Sequence, residues 1–595
     1  MVPLRSVLPH CVSYWAIRTR SFYSLFARLS KVNRFKKNII SGLAKIVNLP
    51  QDDIERMLEI PTESNRGDFA FPCFQLSKIR HQPPSEIAMT IVRELGKIED
   101  ISSVENIGPY VNFRVDNTIL AKEILSEIYQ EKERFGQTDI GKNRIVVIDY
   151  SSPNIAKPFH VGHLRSTIIG NCLKNVYQAL GYRVVSINYL GDWGKQFGLL
   201  VLAFQKWGDK EKLKEDPLKY LYKLYVRINR AVEEDPSLDS KARLIFKQME
   251  KGDERTLEYW QKFRALSIKK YEETYNRLGI SFDVYSGESQ YNEYMRKIIR
   301  EIKDKKLWQS SQGAKIIDLQ EYNLNIALLK KEDGTTLYLT RDIAAADERY
   351  QKYHFHKMLY VVGTDQKLHF EQLFKILELL GRKWPSHCIH VDFGRVQGMS
   401  TRKGKVIFLE DLLDEGQKRA LEKMKTNPEK FSQLSNAKLT ADICGLSAII
   451  FADLSNKRIK NYEFDWDKIL NFEGDTGLYL QNAHARIAGI MRKSGVELTD
   501  RIDYSALKEK EAVSLIRWLT RYPEIVKLAG EKYEPSFLCT YLLELARYFH
   551  KAYHLMRVKG QVSTIAKARM NLFWATKQVL GNGMKLLGMK LLERM

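Results

Sequence analysis

Cysteine is scarce in this sequence, and the six that occur are scattered along 595 residues. They form no CxxC pair, which excludes a zinc ribbon of the usual pattern, so we expect no structural metal. Their wide spacing also favours a reducing compartment without structural disulfides. Long apolar runs are missing too, since nothing approaches the roughly 20 uninterrupted apolar residues of a membrane span. We therefore expect no membrane partner.

Acidic residues are absent from the start of the chain, where none precedes Asp52. The same segment holds many arginines and lysines, with serines and single apolar residues between them. A basic, serine-containing and acid-poor composition is typical of a mitochondrial transit peptide. We predict such a peptide over residues 1–25 and a location in the mitochondrial matrix, with an additional cytosolic pool left open. The alternative is a basic arm that binds RNA directly.

Size and charge narrow the class of protein. A chain of 595 residues is too long for one core, and its length predicts about three or four domains. An apolar fraction of 44 % is ordinary for a folded protein. The formal net charge of +23 indicates either a polyanionic partner or a solvated basic surface.

The most informative stretch is residues 144–198. Ile145 to Tyr150 has the β-branched content of a buried strand, and Val184 to Leu190 is a second apolar run. Between them, Leu164 to Leu180 has helical spacing. A strand, a helix and a strand within about fifty residues predict a βαβ crossover, and hence an α/β fold on a parallel sheet.

The motif His160-Val161-Gly162-His163 lies between the first predicted strand and the helix, just before the helix begins. A helix N-terminus at the carboxyl edge of a parallel sheet offers unpaired N–H groups and a partial positive charge, which suit phosphate. Two imidazoles there can donate hydrogen bonds to phosphate oxygens whose charge grows in a transition state. Gly162 leaves room for a flat base against the backbone. The alternative is a pair of ordinary surface histidines at a helix cap.

The residues around this motif are more specific than the motif itself. The segments SSPNIAKPFHVGHLRST and NYLGDWGKQFG resemble the HIGH-motif region of class I aminoacyl-tRNA synthetases, and among these the arginyl-tRNA synthetases. The resemblance covers nearly everything after residue 30. It implies an enzyme that uses ATP with Mg²⁺ to convert L-arginine to arginyl-adenylate. The arginyl group would then pass to the 2′-hydroxyl of the terminal adenosine of tRNA(Arg). The acid-poor start favours the mitochondrial form, and we expect a monomer.

The resemblance also implies a domain order. We expect an N-terminal α+β domain over residues 30–140 that contacts the tRNA elbow. A Rossmann-type catalytic domain follows over 141–410, with inserts near 200–278 and 295–337. A helical anticodon-binding domain then occupies 411–595.

Two local patterns lie within these domains. In the second insert, Asp333-Gly334 predicts a hairpin whose last strand is Leu337 to Thr340. In the helical domain, Ala512 to Ala529 predicts one helix.

A second loop, Gly394 to Gly404, combines glycines, hydroxyls and two adjacent cations, as a clamp over a triphosphate requires. It resembles the KMSKS loop of class I synthetases, although Gly398 and Thr401 stand where the general signature has lysines. We predict that Lys157 supplies the missing charge. The resemblance implies ATP binding by His160, Gly162, His163, Phe393, Gly394, Met399 and Ser400, and catalytic roles for His160, His163, Lys157 and Lys403.

Recognition of arginine requires anions fixed around a planar guanidinium. For Asp342 the alternative is a structural salt bridge with Arg341, its neighbour in the chain. The resemblance assigns guanidinium recognition to Asp149, Tyr338 and Asp342, the α-amino and carboxylate groups to Asn154, and completion of the pocket to Gln366.

A strand predicted from Val104 to Val115 places Tyr110, Asn112 and Arg114 on one face. An exposed face of this kind can stack on a base and hydrogen-bond its edge, whereas the alternative is a half-buried edge strand. The resemblance places Tyr110 and Asn112 at positions that read a D-loop base of tRNA. It places Tyr479 in the anticodon-binding bundle.

Two other functions share part of this pattern. A metabolite nucleotidyltransferase also uses H-x-G-H, but it would lack the helical C-terminal third and the acids that read a guanidinium. An RNA-binding protein that has lost catalysis would keep the basic charge and tolerate the loss of His160, Asn154 or Asp342, all of which are present.

Overall fold

The computed structural model describes residues 33–61, 66–157, 159–330, 332, 337–398 and 408–595. These residues form two compact units. The first contains the described part of Met1–Lys142 together with Val496–Pro523 and Ala552–Ala575. The second contains Asn143–Gly495, Glu524–Lys551 and Thr576–Met595. The predicted transit peptide lies outside the described residues.

The first unit is an α+β fold around a three-stranded antiparallel sheet. On its middle strand, Val111, Phe113 and Val115 alternate into the core and are fully buried. In chain order the elements up to residue 131 are α1 (Asn33–Val47), α2 (Gln51–Met57), β1 (Phe69–Pro72), α3 (Phe74–Arg80), α4 (Pro84–Glu94), β2 (Ile101–Ile107), β3 (Tyr110–Val115) and α5 (Asn117–Glu131).

The prediction of a single strand from Val104 to Val115 is wrong. The chain turns at Gly108, whose φ of +58° favours glycine, and β2 and β3 pair as an antiparallel hairpin. The strand order is β1-β3-β2. Tyr110 and Asn112 therefore lie on the middle strand, so the alternative of an edge strand is wrong as well.

The second unit begins with the predicted βαβ crossover. Its middle strand holds Val146, Val147 and Ile148, which are fully buried, as expected for a strand covered on both faces. In chain order its elements up to residue 397 are β4 (Ile145–Asp149), α6 (Val161–Ala179), β5 (Arg183–Leu190), α7 (Lys195–Trp207), α8 (Lys210–Glu215), α9 (Pro217–Glu234), α10 (Ser237–Glu250), α11 (Glu254–Leu278), β6 (Val284–Gly287), α12 (Asn292–Asp304), β7 (Gln309–Ser311), β8 (Ala314–Asp318), β9 (Ile326–Lys330), α13 (Tyr338–Tyr353), β10 (Lys357–Tyr360), α14 (Lys367–Leu379), β11 (Cys388–His390) and β12 (Val396–Gln397).

Five of these strands form the predicted parallel sheet, in the order β11-β10-β4-β5-β6. All four neighbouring pairs are parallel, so the carboxyl ends of the strands meet at one edge. The loops that follow β4, β5, β6 and β10 therefore lie at this edge, where open α/β sheets bind their ligands.

A separate antiparallel sheet in the order β7-β8-β9 forms part of the second insert. The prediction that Leu337 to Thr340 is a strand is wrong, because Tyr338 begins α13. Leu339, Ile343 and Ala346 are buried with helical spacing, a period that a window of four residues is too short to reveal. The hairpin signal Asp333-Gly334 lies outside the described residues.

Within residues 408–595 the described elements are helices apart from β13 (Tyr462–Glu463), which pairs in parallel with β12. Ala512 to Ala529 is not one helix, because Pro523 suits only the first turn of a new helix. None of the described helices is long and apolar enough to span a membrane. The helices are α15 (Leu409–Lys425), α16 (Pro428–Ser432), α17 (Ala437–Leu454), α18 (Trp466–Ile469), α19 (Gly477–Ser494), α20 (Lys510–Leu519), α21 (Tyr522–Lys532), α22 (Ser536–Leu555) and α23 (Ser563–Leu586).

The described cysteines all carry free thiols in buried positions. They are Cys73 in the first unit and Cys172, Cys388, Cys444 and Cys539 in the second.

Candidate active site

The two histidines of the HVGH motif close the first turn of α6. Nδ1 of His160 accepts a hydrogen bond from the N–H of Gly162 at 3.0 Å. Nδ1 of His163 accepts a longer one from the N–H of His160 at 3.4 Å. Because Nδ1 accepts in both rings, each neutral imidazole carries its proton on Nε2 and presents that N–H as a donor.

Both histidines are held in the neutral form. Burial lowers the pKa of His163 to about 3, and His160 and Lys157 add to the shift. Burial and Lys157 also lower the pKa of His160. The site therefore offers two N–H donors whose charge stays fixed near neutral pH, which is the arrangement that the predicted phosphate role requires.

Gly162 fits this cap for a reason other than the predicted one. A Cβ at this position would lie 2.7 Å from Cε1 of His160, so any side chain would displace the imidazole. The space beside Gly162 is thus filled by the ring of His160, and an adenine base against this backbone stays a prediction.

Lys157 lies near both histidines, since it lowers the pKa of each. Its Nζ is 5.6 Å from the ring centroid of Tyr225, and its carbonyl accepts a hydrogen bond from the hydroxyl of Tyr271 at 3.0 Å. The backbone before His160 is thus anchored on α11 while the ammonium stays beside the motif. The predicted roles of Met399, Ser400 and Lys403 fall outside the described residues.

Two described phenylalanines flank the second loop, Phe393 before it and Phe408 after it. Phe408 forms a β-bridge with His160. Phe393 bridges Gly363, and its carbonyl accepts hydrogen bonds from the N–H and the hydroxyl of Thr364 at 3.0 and 2.9 Å. The predicted ATP-binding pair Phe393 and Gly394 therefore follows β11 at the carboxyl edge of the sheet.

Asp149 ends β4 in an enclosed position, where its side chain is already paired. Its Oδ2 lies 2.8 Å from Nη1 of Arg349, and its Oδ1 accepts a hydrogen bond from the Ser152 hydroxyl at 2.9 Å. Burial raises the pKa of Asp149, while Arg349 opposes the shift. The guanidinium that Asp149 binds here is that of Arg349, so direct recognition of a substrate by Asp149 has no support from this geometry and stays a prediction.

Asp342 and Tyr338 share one face of the first turns of α13 and meet His369. Oδ2 of Asp342 is 2.7 Å from Nε2 of His369, and the ring of Tyr338 lies 5.2 Å from the imidazole, centroid to centroid. Asp342 pairs with His369 and not with Arg341, which removes the proposed structural salt bridge. The carboxylate remains partly open to solvent.

Glu288 is a third carboxylate at this edge, and sequence reasoning missed it. It follows β6, and it interacts electrostatically with Asp342, Arg341 and Asp192. Desolvation and repulsion from Asp342 raise its pKa to about 7. Two carboxylates whose charges repel each other are both stabilised when a cation binds near them. The strand that positions Glu288 has four residues, too few for a periodic signal.

Asn154 lies at the same edge of the sheet, and Gln366 lies on the protein surface. The backbone of Asn154 bridges Gly191, and a Cβ at 191 would stand 2.1 Å from Oδ1 of Asn154, so this glycine makes room for the amide. The hydroxyl of Tyr271 donates to the carbonyl of Asn154 at 2.8 Å. Gln366 is exposed and immediately precedes α14.

Family models cover nearly the whole chain. The model described as "tRNA synthetases class I (R), catalytic domain" matches residues 124–466. The "Arginyl tRNA synthetase N terminal domain" matches 33–115, and the "DALR anticodon binding domain" matches 480–595. The chain belongs to the class I arginyl-tRNA synthetases.

Individual relatives match nearly the whole of this chain. An arginine–tRNA ligase of Halothermothrix orenii is 44 % identical over 567 residues, which cover 94 % of this chain and 100 % of that protein. The cytoplasmic arginine–tRNA ligase of Saccharomyces cerevisiae is 44 % identical over 577 residues, 95 % of each chain.

Solved structures show the shared fold. The arginyl-tRNA synthetase of Plasmodium falciparum has a TM-score of 0.79 at 23 % identity, covering 95 % of this chain and 99 % of that one. The Thermus thermophilus enzyme has a TM-score of 0.76 at 23 % identity, covering 90 % and 96 %. The predicted domain boundary at residue 410 stays a prediction.

The residues predicted to read the tRNA elbow in this synthetase differ in exposure. Tyr110 is half-buried, and its ring meets Phe74 edge to face at 5.6 Å. Asn112 is only 6 % exposed, and its Nδ2 has no hydrogen-bond partner within the described structure. The predicted exposed face is therefore wrong for Asn112, which lies on the middle strand of the sheet.

Tyr479 lies in the first turn of α19 and is half-buried. Its ring centroid is 5.0 Å from that of His550, and burial raises the pKa of its hydroxyl. Arg547, which binds Asp475 and Glu544, lies close enough to affect that pKa. A phenol, an imidazole and a guanidinium in one place suit contact with RNA.

A basic groove in the helical insert of the synthetase was not predicted. It is a cavity of about 720 Å³ between the end of α7 and α9, and Trp207, Lys223 and Arg227 line it. Cζ of Arg227 stands 4.1 Å from the ring centroid of Trp207. The available signal was the spacing of a cationic stripe along one face of α9, namely Lys219, Lys223, Arg227 and Arg230.

Proposed function

We propose that this chain is an arginine–tRNA ligase, which activates L-arginine with ATP and transfers it to the 2′-hydroxyl of the terminal adenosine of tRNA(Arg). One observation carries the proposal: the carboxylates of Glu288 and Asp342 stand at the same sheet edge as the neutral pair His160 and His163. The acids suit a guanidinium and the imidazoles suit phosphates. Relatives at 44 % identity are arginine–tRNA ligases.

The histidines act on the phosphates of ATP. The substrate carboxylate is the nucleophile, so the step needs no general base and depends on positioning and on stabilisation of charge. The Nε2–H groups of His160 and His163 donate to phosphate oxygens as charge moves onto pyrophosphate, and each such donor is worth about 10²–10³ in rate. Lys157 adds positive charge beside them. Mg²⁺ enters as part of the substrate, bound to ATP.

The acids select arginine. A guanidinium between Glu288 and Asp342 gains two charge-assisted partners and removes the repulsion that raises the pKa of Glu288. Lysine carries the same charge on a single ammonium without a planar fork, so it cannot engage both carboxylates in this geometry. His369 holds Asp342 in place, and Tyr338 stands on the same helix face with its ring against that of His369.

ATP–pyrophosphate exchange with each standard amino acid, with and without tRNA, tests this function. Of the standard amino acids, only arginine should support exchange, and it should do so mainly when tRNA is present. Equal exchange with lysine would contradict the roles of Glu288 and Asp342. Tight tRNA binding without exchange for any amino acid would favour an RNA-binding protein that has lost catalysis.

The tRNA partner and the monomeric state are part of the proposal. The cationic stripe on α9 supports a path for tRNA toward the histidines, because Nζ of Lys219 lies 5.5 Å from the ring of Phe408, which bridges His160. Each chain contains both the acids and the histidines, so a second copy is not needed to complete the site. Sedimentation of active enzyme with tRNA should show one chain per particle, and an active dimer would contradict this.

The location in the mitochondrial matrix is supported by the basic, acid-poor composition of residues 1–25. Deleting residues 2–25 should abolish mitochondrial delivery and leave the activity of the purified enzyme intact. Fluorescently tagged full-length and truncated chains test the delivery, and fractionation tests for a cytosolic pool. Much weaker tRNA binding by the truncated enzyme would instead favour the basic RNA arm.

A further inference from the structure

Asp192 is a fully buried carboxylate at the carboxyl edge of the sheet, in the loop that follows β5. It belongs to the segment NYLGDWGKQFG, to which the proposed function gives no role. Its Oδ1 accepts a hydrogen bond from the N–H of Ser289 at 2.9 Å. Its Oδ2 accepts one from the hydroxyl of Ser289 at 2.9 Å and another from Nε of Arg264 at 2.8 Å. The buried charge is therefore met by donors from two separate elements.

This carboxylate contacts both neighbours of Glu288 in the chain. Ser289, which follows Glu288, donates both of its hydrogen bonds to it. Gly287, which precedes Glu288 and ends β6, packs so closely on it that a Cβ at 287 would lie 2.1 Å from Oδ2 of Asp192. The backbone on either side of Glu288 is therefore placed by one side chain.

Asp192 is in turn fixed on α11. The indole Nε1 of Trp260 donates to the carbonyl of Asp192 at 2.7 Å. Arg264 lies four residues later on the same face of this helix and binds the carboxylate. Successive turns of α11 thus hold the backbone and the side chain of one residue. Through Asp192, the segment 287–289 is tied to α11 as well as to the sheet.

Asp192 also contributes to the charge around Glu288. Burial, Asp342 and Asp192 raise the pKa of Glu288 to about 7, and Arg341 opposes the shift. Burial, Asp342 and Glu288 raise the pKa of Tyr189 on β5, which is the other titratable neighbour. Asp192 therefore acts on Glu288 in two ways, since it fixes the adjacent backbone and adds negative charge nearby.

We propose that Asp192 is a positioning residue for arginine recognition, which fixes the backbone of Glu288 so that its carboxylate and that of Asp342 bind one guanidinium. The proposal rests on the proposed function. Asp192 touches no substrate, because its carboxylate is occupied by Ser289 and Arg264. The groups proposed to bind the phosphates of ATP lie on other elements, so ATP binding should not depend on Asp192.

The variant Asp192→Asn tests this, because it keeps the size of the side chain and removes the charge that binds Arg264. Arginine is titrated calorimetrically into the full-length enzyme at about pH 8, where a group of pKa about 7 is mostly ionised. The Kd for arginine should rise about 10- to 100-fold, the usual cost of losing a group that orients a direct partner of the ligand. In ATP–pyrophosphate exchange with tRNA present, the KM for arginine should rise while that for ATP stays unchanged.

The pH profile of arginine binding should shift as well. Glu288 binds a guanidinium when it is ionised, so tight binding is present above its pKa and is lost as the pH falls through it. Asp192→Asn removes a negative charge that raises this pKa and leaves Arg264 without its carboxylate, and both changes favour the ionised form. The midpoint should therefore move below the wild-type value of about 7. A loss of stability alone does not move this midpoint.

A double-mutant cycle with Glu288→Gln shows whether Asp192 acts through Glu288. Once the carboxylate of Glu288 is gone, Asp192→Asn should change the Kd for arginine by less than about twofold. Two independent effects would multiply instead, and the second substitution would then cost as much as it does alone.

Asp283→Asn is the matched control. Asp283 immediately precedes β6, at the opposite end of this strand from Glu288. Its Oδ2 accepts hydrogen bonds from the N–H and the hydroxyl of Ser186 at 2.8 and 2.6 Å. The same substitution thus removes the same kind of contact from the same pair of strands. It should change at most the melting temperature, and leave the Kd for arginine and its pH midpoint as in the wild type.

Several results would overturn the proposal: a wild-type Kd or an unmoved midpoint in Asp192→Asn, a full loss on top of Glu288→Gln, or an equal effect in Asp283→Asn. If Asp192→Asn fails to fold, Ser289→Ala removes only the hydroxyl that donates to Oδ2 of Asp192. A folded Ser289→Ala should raise the Kd for arginine on a smaller scale and lose this effect in the Glu288→Gln background, and a wild-type Kd would overturn the proposal. Absence of arginine-dependent exchange in the wild type would instead overturn the proposed function.

Discussion

The raised pKa of Glu288 predicts that arginine binding depends on pH near neutrality. Desolvation and the charge of Asp342 bring this pKa to about 7, so in the empty pocket Glu288 is partly protonated at neutral pH. A protonated carboxyl cannot form an ion pair with a guanidinium, so arginine binds the ionised form and releases a proton.

The magnitude follows from that pKa. A group of pKa about 7 is about nine-tenths ionised at about pH 8 and about one-tenth ionised at about pH 6. The Kd for arginine should therefore rise about tenfold over this interval, which is about 1.4 kcal/mol. The sign is that of a raised carboxyl pKa: tight binding is present above neutrality and is lost as the pH falls through about 7.

Calorimetric titration of arginine into the enzyme over this pH range measures the effect. Buffers of different ionisation enthalpy count the released proton. Glu288→Gln should bind arginine more weakly and with a flat pH profile. His369 contacts Asp342, so His369→Gln is the control and should retain the slope. A flat profile in the wild type, or a full slope in Glu288→Gln, would refute the reasoning.

Three further substitutions test separate parts of the site. Asp342→Asn should raise the KM for arginine by about 30- to 1000-fold and leave that for ATP nearly unchanged, because a desolvated guanidinium loses a partner worth about 2–4 kcal/mol. An unchanged KM for arginine in steady-state aminoacylation would make Asp342 structural. Lys157→Ala should slow arginyl-adenylate formation by about 10²–10³ without changing arginine affinity. The rate is measured by single-turnover activation in the presence of tRNA. A small loss of rate in Lys157→Ala, with a large loss in Lys403→Ala, would assign the phosphate charge to the second loop instead of to Lys157. Lys223→Glu should weaken tRNA binding and reduce its salt dependence, whereas Lys247→Glu, exposed on α10, should not; equal effects would remove the groove from the tRNA path.

Sequence patterns were sufficient where one local rule decides the structure. The apolar runs of β4 and β5 and the helical period of α6 predicted the crossover and placed His160 and His163 at a helix N-terminus. The same rules could have divided the wrongly predicted elements, because Gly108 and Pro523 mark the breaks.

Pairings between remote residues left no such signal. Asp149 meets Arg349, and Asp342 meets His369. These partners are set by the order of strands in the sheet and by the turns of α13. Glu288 depends on a strand of four residues that has no readable period. The side-chain partners in the pocket therefore could not be predicted from the sequence, although the position of the pocket at the carboxyl edge of the sheet could.

The reactivity of the buried thiols can be used to follow unfolding of the enzyme. Burial raises the pKa of Cys73 to about 11 and that of Cys444 to about 12, and it raises those of Cys172, Cys388 and Cys539 as well. Since alkylating and oxidising reagents attack thiolates, the native enzyme should resist them at these positions. Modification of one of these thiols therefore indicates that the protein around it has opened. Modification of Cys73 indicates opening of the first unit, and modification of any of the other four indicates opening of the second.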